Sequence, residues 1–204
     1  MQNKETKNDI IFGIDYGSKL TGNTVIALFN GEEIMFLDVD KGVDADQFIL
    51  NAAKHFKPAL IFLDAPLSLP GIYTGLKNCT NYHFRHADRE ACAMSPMFLG
   101  GLAARAMELK SKLEKMDIPV KETYPRIMAN HYKLKDLGYK THQMALKDCR
   151  EFVCASFKNS LKCNLKDIKT WHHLDALLAL IAALNYTQGK GQIFGQADEG
   201  QIFA

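Results

Sequence analysis

The sequence has few of the features that mark secreted, disulfide-stabilised or membrane-spanning proteins. Its five cysteines are odd in number and include no C-x-x-C pair, which argues against a disulfide framework and a cysteine-based zinc site. No apolar run reaches the length of a membrane span, and the opening "MQNKETKNDI" is too polar for a signal peptide. We therefore expect a cytoplasmic protein with reduced thiols and no association with a membrane.

A strong excess of one charge is also missing, since the formal net charge is +2 at pH 7. The middle of the chain differs, because residues 105–170 carry 15 basic and 8 acidic side chains. Such a segment suits a polyanionic partner, although solvated lysines on surface helices explain it equally well. At 204 residues the chain is long enough to bury a core, and we expect one domain over residues 1–204.

Three β-rich runs crowd the first forty residues, "DIIFGID", "NTVIALF" and "EEIMFLDV". Asn30-Gly31 joins the last two and is a strong signal for a hairpin. Helical spacing follows as far as Pro58, with Asp44 or Asp46 as its N-cap. "ALIFLD" then predicts a strand buried on both faces, before an irregular insertion at about 65–96.

The second half of the sequence is mostly helical in pattern. Helices are predicted over 97–116, over 126–160 in two pieces split near Gly138, and over about 167–186, with a strand at 119–124. The resulting order, β-β-β-α-β-α-β-α, predicts an α/β fold with helices on both faces of a mixed five-stranded sheet, whose first three strands are antiparallel. That is the order of the ribonuclease-H-like fold, and other α/β sheets share it.

Four acidic residues stand where burial is expected. Asp15 and Asp64 end buried strands, Glu122 lies in a strand, and Asp175 lies in the apolar last helix. Ligand sites in mixed α/β sheets gather at the carboxyl ends of central strands, so neighbouring first and fourth strands would bring Asp15 and Asp64 together. A helix over that edge would add Asp175. Clustered carboxylates favour Mg²⁺ or Mn²⁺, and a metal there suits hydrolysis of phosphodiesters.

His172 precedes Asp175 by three residues and shares its helix face, so it is a candidate ligand or proton carrier. Each candidate also has a structural explanation. Asp15 and Asp64 are suited to turns, Glu122 to pairing with a basic neighbour, and a single helical histidine to packing. Asp175 is the hardest to explain this way, because an unpaired aspartate is costly to bury in a helix.

The insertion contains "NYHFRHADREACAMSP", in which Arg85 and Arg89 flank Asp88. A spacing of four places both guanidinium groups on one helical face, where they suit phosphate oxygens, and the aromatic run 82–84 suits stacking on bases. Surface salt bridges to Asp88 or Glu90 explain the same arginines equally well.

Several motifs together resemble the family labelled domain of unknown function 429, whose members are predicted nucleases of the ribonuclease-H-like superfamily. The motifs are "IFGIDYGS", "LIFLDAPLSLP", "RHADREACA", "KETYPRI", "HHLDALLALIAAL" and "ADEGQIF", and they cover nearly the whole chain in order. Of these, "DAPLSLP" and "KETYP" are the most specific. We expect Ser18 and Tyr124, which lie within these motifs, to contact substrate together with Arg85, Asp88 and Arg89.

The resemblance implies specific roles for the acidic residues. RuvC-like resolvases of the superfamily carry acidic metal ligands on the first strand, after the fourth strand and on the last helix. These positions correspond to Asp15, Asp64 and Asp175, with His172 where resolvases have a further Asp or His, and Glu122 matches a strand glutamate of the family. The second ligand here is Asp64, where resolvases use the longer glutamate.

Three function classes follow from these patterns. The first is a nuclease that depends on Mg²⁺ or Mn²⁺ and acts on DNA or RNA, with Asp15, Asp64, Asp175, His172 and Glu122 as catalytic residues. The second is a catalytically silent nucleic-acid-binding protein. The third is a nucleotide-binding or phosphotransfer protein of the actin-like superfold, which the chain's length and lack of a second glycine-rich phosphate loop disfavour. The resemblance is also compatible with a homodimer, because junction-cutting relatives dimerise.

Overall fold

The computed structural model describes residues 10–156 and 162–204 of the chain. Residues 157–160 of the expected helix and Asp9 of the expected first strand lie outside these ranges. The strands are β1 (Ile11–Asp15), β2 (Val25–Phe29), β3 (Glu33–Asp38), β4 (Leu60–Asp64), β5 (Val120–Thr123), β6 (Lys162–Cys163), β7 (Ile193–Phe194) and β8 (Ile202–Phe203). The helices are α1 (Ala45–Phe56), α2 (His86–Glu90), α3 (Pro96–Leu99), α4 (Gly101–Glu114), α5 (Pro125–His131), α6 (Ala145–Ala155) and α7 (Trp171–Thr187).

The eight strands form one mixed sheet in the order β6-β3-β2-β1-β4-β5-β8-β7. Strands β1, β2 and β3 are antiparallel to their neighbours in sequence, as predicted, whereas β4 runs parallel to β1 and β5 parallel to β4. The hairpin between β2 and β3 is confirmed at Asn30-Gly31. The side-chain oxygen of Asn30 accepts hydrogen bonds from the backbone N–H groups of Glu32 and Glu33, which closes the turn.

The predicted count of five strands was wrong. Strands β6, β7 and β8 extend the sheet at its two sides, and each contains two residues. A strand of two residues is too short to show an alternating pattern, which explains why the sequence did not reveal them. Strand β8 pairs with β5, and β7 forms an antiparallel hairpin with β8.

Helices cover both faces of the sheet, as predicted. Alternate residues of β1 point to opposite faces, with Phe12 and Ile14 on one and Ile11 on the other. The Phe12 face forms a core with α1 and α4, and the Ile11 face forms a second core with α5, α6 and α7. Helix α7 packs most extensively on β1, so the central strand is buried on both sides.

The start of α1 agrees with the prediction, whereas the helix expected over 97–116 differs from it. Asp44 is the N-cap of α1, where its side chain accepts hydrogen bonds from the backbone N–H groups of Asp46 and Gln47. The helix expected over 97–116 is broken at Gly100, whose positive φ of 49° ends α3 before α4 begins. No helix within the described ranges is both long enough and apolar enough to cross a membrane.

The segment from residue 65 to residue 95 is largely irregular, as the prolines predict, and the C-terminal region holds it in place. The carboxylate of Glu199 accepts hydrogen bonds from the backbone N–H groups of Gly71 (2.8 Å) and His86 (2.7 Å). Glu199 is buried, so these bonds satisfy a carboxylate that has little contact with water.

Candidate active site

Asp15 and Asp64 are partners in the register of neighbouring parallel strands. They occupy the last positions of β1 and β4, and the pairing aligns their Cα atoms across the sheet. Both strands are apolar up to these residues, so burial of the strands fixes the two carboxylates at one edge. The predicted meeting of the first and fourth strands is confirmed.

Helix α7 brings Asp175 to the same region. The side chain is 1% exposed and forms an ion pair with the Nζ of Lys140 and a hydrogen bond from the hydroxyl of Tyr139. Burial raises the pKa of Asp175 to about 6, against the opposing effect of Lys140. This aspartate is therefore buried in a helix, as expected, and it has partners.

Asp64 experiences the combined field of the other two aspartates. Burial raises its pKa well above the usual range, and the negative charges of Asp15 and Asp175 raise it further. Within the described ranges, its carboxylate has no hydrogen bond or salt bridge of its own. Asp15 and Asp175 are thus close enough to Asp64 to raise its pKa, and the charge of Lys140 opposes that rise.

His172 contacts Asp15 rather than Asp175. Its Nδ1 lies 2.7 Å from Oδ2 of Asp15, although the imidazole is 42% exposed. The hydrogen bond to Asp15 raises the pKa of His172, against the effect of partial burial. The pair links the start of α7 to the end of β1, which the spacing of His172 and Asp175 along the helix did not reveal.

Lys140 and Tyr139 belong to the site and were missed by sequence reasoning. Both follow Gly138, whose φ of 81° starts a turn, and Lys140 itself has a φ of 58°. Burial of the amine opposes ionisation of Lys140, but the neighbouring aspartates, chiefly Asp175, outweigh burial and raise the pKa of Lys140. The basic character of residues 105–170 was the available signal, and it did not distinguish Lys140 from other lysines.

Two cavities open beside Asp64. One has a volume of about 270 Å³ and is mainly apolar, and the other has a volume of about 360 Å³ and includes the basic residues Arg126, Lys135 and Lys140. Asp64 and Tyr124 line both of them. Tyr124, a predicted substrate-binding residue, therefore lies at the boundary between the two cavities.

Arg85 pairs with Asp88, as the structural explanation expected, but the pair is buried and does not lie on the surface. Arg85 is fully buried, and all three of its side-chain nitrogens are hydrogen-bonded to Glu122, Asp88 or Ser68. Glu122 also accepts a hydrogen bond of 2.7 Å from the backbone N–H of Leu67. This buried network joins the irregular segment to β5, so Arg85 and Asp88 have no free group to offer a phosphate.

Glu122 lines the apolar cavity together with Asp64, but both of its oxygens are bound by Arg85. Burial raises its pKa, and the adjacent guanidinium opposes that rise. We therefore assign Glu122 a structural role in the place of the predicted catalytic one. Arg89 and Ser18, two further predicted substrate-binding residues, are exposed and line neither cavity beside Asp64.

The donor chemistry of the site fits a hard divalent cation, although its ligands are not yet gathered around one point. Within residues 10–156 and 162–204, no group of three or more His, Cys, Asp or Glu side chains is arranged to hold a metal ion. Asp15 and Asp175 already have partners in His172 and Lys140. Carboxylate oxygens are nevertheless the ligands that Mg²⁺ prefers, and the mutual repulsion at Asp64 is what a cation would relieve.

Comparisons with known proteins do not assign the chain to a family. No protein-family model matches the sequence, and no curated protein matches it closely enough to establish a relationship.

Proposed function

We propose that this protein is a nuclease that depends on a divalent metal and hydrolyses phosphodiester bonds in DNA or RNA. One observation carries the proposal, which is the register pairing of Asp15 with Asp64 while Asp175 lies close enough to raise the pKa of Asp64. Asp64 is costly to keep ionised, because it is buried beside a second strand-end carboxylate and a third carboxylate in α7. A role in binding a divalent metal would explain why these carboxylates lie close together despite that cost.

In this proposal Asp15, Asp64 and Asp175 hold Mg²⁺ or Mn²⁺. A divalent cation bound there supplies activation of water and stabilisation of the charge that develops at the phosphate. His172 holds or releases a proton beside Asp15. The basic residues of the basic cavity, which is the one of about 360 Å³, attract the nucleic-acid backbone. No catalytic role is given to Glu122, Arg85 or Asp88.

We also propose that the fold is ribonuclease-H-like. The five longer strands lie in the order β3-β2-β1-β4-β5, with β2 antiparallel to both neighbours and helices on both faces, which supports this assignment. The resemblance of the motifs to the family labelled domain of unknown function 429 supports it as well. A cytoplasmic location belongs to the same proposal.

One observation favours a second candidate, a catalytically silent nucleic-acid-binding protein. Lys140 and His172 already neutralise or bind Asp175 and Asp15, so a metal is not required to satisfy those two carboxylates. A protein that had lost its metal while keeping the basic cavity would bind nucleic acid without cutting it.

The test is a cleavage assay with labelled single-stranded, duplex and branched DNA and RNA in Mg²⁺, Mn²⁺ or chelator. Wild type is compared with Asp15→Asn and with the control Asp40→Asn, which changes an exposed aspartate in the loop after β3. We expect cutting that requires metal, disappears in Asp15→Asn and persists in Asp40→Asn. Undiminished cutting by Asp15→Asn would refute the mechanism, and salt-sensitive binding without cutting, indifferent to Mg²⁺ and to Asp15→Asn, would favour the second candidate.

A further inference from the structure

The apolar cavity beside Asp64 has almost no polar group available to a ligand. Glu122 is bound by Arg85, the hydroxyl of Tyr16 donates to Asp46 at 2.5 Å, and the hydroxyl of Thr123 donates to the carbonyl oxygen of Phe203. The rest of the lining is apolar apart from Asp64 and Tyr124, and it is formed by Ala65, Pro66, Ala93, Met94, Leu99, Leu102 and Ile202.

The cavity on the other side of Asp64 has the opposite character. Arg126, Lys135 and Lys140 bring positive charges to it, and Asn130 and Thr141 add neutral polar groups. The carboxylates of Asp64 and Asp175 line it as well, and Asp175 is paired with Lys140, so Arg126 and Lys135 are the cations that remain to meet a phosphate. Asp64 therefore lies between an apolar space of about 270 Å³ and a basic space of about 360 Å³. Concave sites with apolar walls and a few convergent polar groups are typical of ligand pockets.

A nucleotide has the same two-part character, because its base is flat and largely apolar on its faces while its phosphates are anionic. We infer that the apolar cavity receives one unstacked nucleobase while the basic cavity receives the adjoining phosphates. This inference rests on the proposed function and narrows its substrate to nucleic acid with an unpaired nucleotide, such as a single strand, a bulge or a junction. A base inside an intact duplex is stacked and paired, and it reaches such a cavity only after extrusion.

Tyr124 and Met94 are the side chains best suited to hold the base. Tyr124 lies at the boundary of both cavities, and Met94 is 56% exposed at the wall of the apolar one. An aromatic ring stacks on any base and a thioether adapts to its outline, so the cavity selects for an unpaired base rather than for a particular sequence.

The test measures binding in chelator, so that it does not depend on cleavage. The probes are fluorescein-labelled duplexes that carry a single bulged 2-aminopurine nucleotide, a single bulged abasic residue or no bulge, each prepared as DNA and as RNA. We expect wild type to bind the bulged base about tenfold more tightly than the abasic bulge, because base stacking on side chains contributes on that scale. The fluorescence of 2-aminopurine should change on binding.

Two alanine-to-tryptophan variants make the test specific for the cavity. Ala93 lies in the wall of the apolar cavity, whereas Ala104 is exposed on α4 and lines neither cavity. Ala93→Trp should fill the cavity and abolish the preference for the bulged base, and Ala104→Trp should keep it. Thermal unfolding of both variants verifies that they are folded.

Equal affinity of wild type for the base and abasic bulges would overturn the inference, whatever the tryptophan variants do. A preference that persists in folded Ala93→Trp would overturn it as well. The outcome also separates the two proposals. Metal-dependent cutting without any preference for the base would leave the nuclease standing and remove the base pocket, whereas a preference without cutting would keep the pocket and remove the nuclease.

Discussion

Gly13 of β1 lies directly against the backbone of Leu180 in α7. A Cβ atom at position 13 would stand 2.5 Å from Cα of Leu180 and 2.6 Å from the carbonyl oxygen of Ala176, whereas real Cβ atoms essentially never approach within 3.0 Å. The helix therefore rests on the strand at backbone distance. Since Asp175 lies on this helix and Asp15 ends this strand, the same contact sets the spacing of the carboxylates.

We expect Gly13→Ala to destabilise the fold by about 1–3 kcal/mol or more, because backbone atoms must shift to admit the methyl group. Urea unfolding monitored by circular dichroism measures the change. The matched control is Gly101→Ala at the start of α4, where an added Cβ meets nothing within 4 Å. Equal stability of the two variants would contradict the close packing of α7 on β1.

The burial of Arg85 predicts a structural phenotype. Arg85→Ala leaves Glu122 and Asp88 without their shared cation, and we expect a loss of about 3–5 kcal/mol in the free energy of unfolding. Arg85→Lys should recover little of this, because an ammonium group cannot reproduce the bidentate contacts. Arg89→Ala serves as the control for an exposed arginine and should change stability little. If Arg85→Ala were as stable as Arg89→Ala, the buried network would not support the fold.

Given the proposed function, the ion pair between Lys140 and Asp175 leads to a prediction about metal affinity. The amine of Lys140 neutralises Asp175, so Lys140→Gln should leave a more negative carboxylate cluster and tighten the binding of Mn²⁺ roughly tenfold. Titration calorimetry measures the dissociation constant without reference to cleavage. Lys135→Gln removes a charge from the same cavity and should have a smaller effect. Unchanged or weaker binding in Lys140→Gln would show that the amine does not compete with the metal.

Glu199 predicts a pH dependence of stability. Burial raises its pKa, but hydrogen bonds from the N–H groups of His86 and Gly71 outweigh that effect and lower the pKa below the usual value. A carboxylate with a lowered folded-state pKa stabilises the protein above its unfolded-state pKa of about 4.3, and this contribution is lost as the pH falls through the folded-state pKa.

We therefore expect Glu199→Gln to be less stable than wild type by on the order of 1 kcal/mol near pH 7 and equal to it in acid. Urea unfolding across the pH range measures the difference between the two proteins. Asp198→Asn is the neighbouring control, since Asp198 is exposed. A difference that stays constant down to acidic pH would exclude the charge of Glu199 as its cause.

The site residues that could be predicted from the sequence share one property: each is an acidic residue in a stretch that is otherwise apolar. Asp15 and Asp64 end runs of apolar residues, and Asp175 interrupts an apolar helix, so each was visible without the fold. Their alignment then followed from the expected neighbourhood of the first and fourth strands, and the register of β1 with β4 confirms it.

The rest of the site depends on contacts between residues far apart in the chain. Lys140 reaches Asp175 from a turn with unusual backbone angles, and nothing in its local sequence separates it from the other lysines of the basic segment. Arg85 is 37 residues from Glu122, and its placement on one helical face with Arg89 was inferred from a spacing that a five-residue helix does not sustain. Burial of a charged side chain is decided by its partner, which local patterns do not reveal.

The position of β8 has a consequence for how the chain is made. This strand is the most C-terminal one in the described ranges, yet it lies within the sheet between β5 and β7. Thr123 of β5 donates its hydroxyl to the carbonyl oxygen of Phe203, across a separation of 80 residues. During synthesis on the ribosome, one edge of β5 therefore stays unpaired until those residues have been made. An unpaired strand edge is a template for pairing with other chains. A pause in translation within that interval would expose the nascent protein to aggregation.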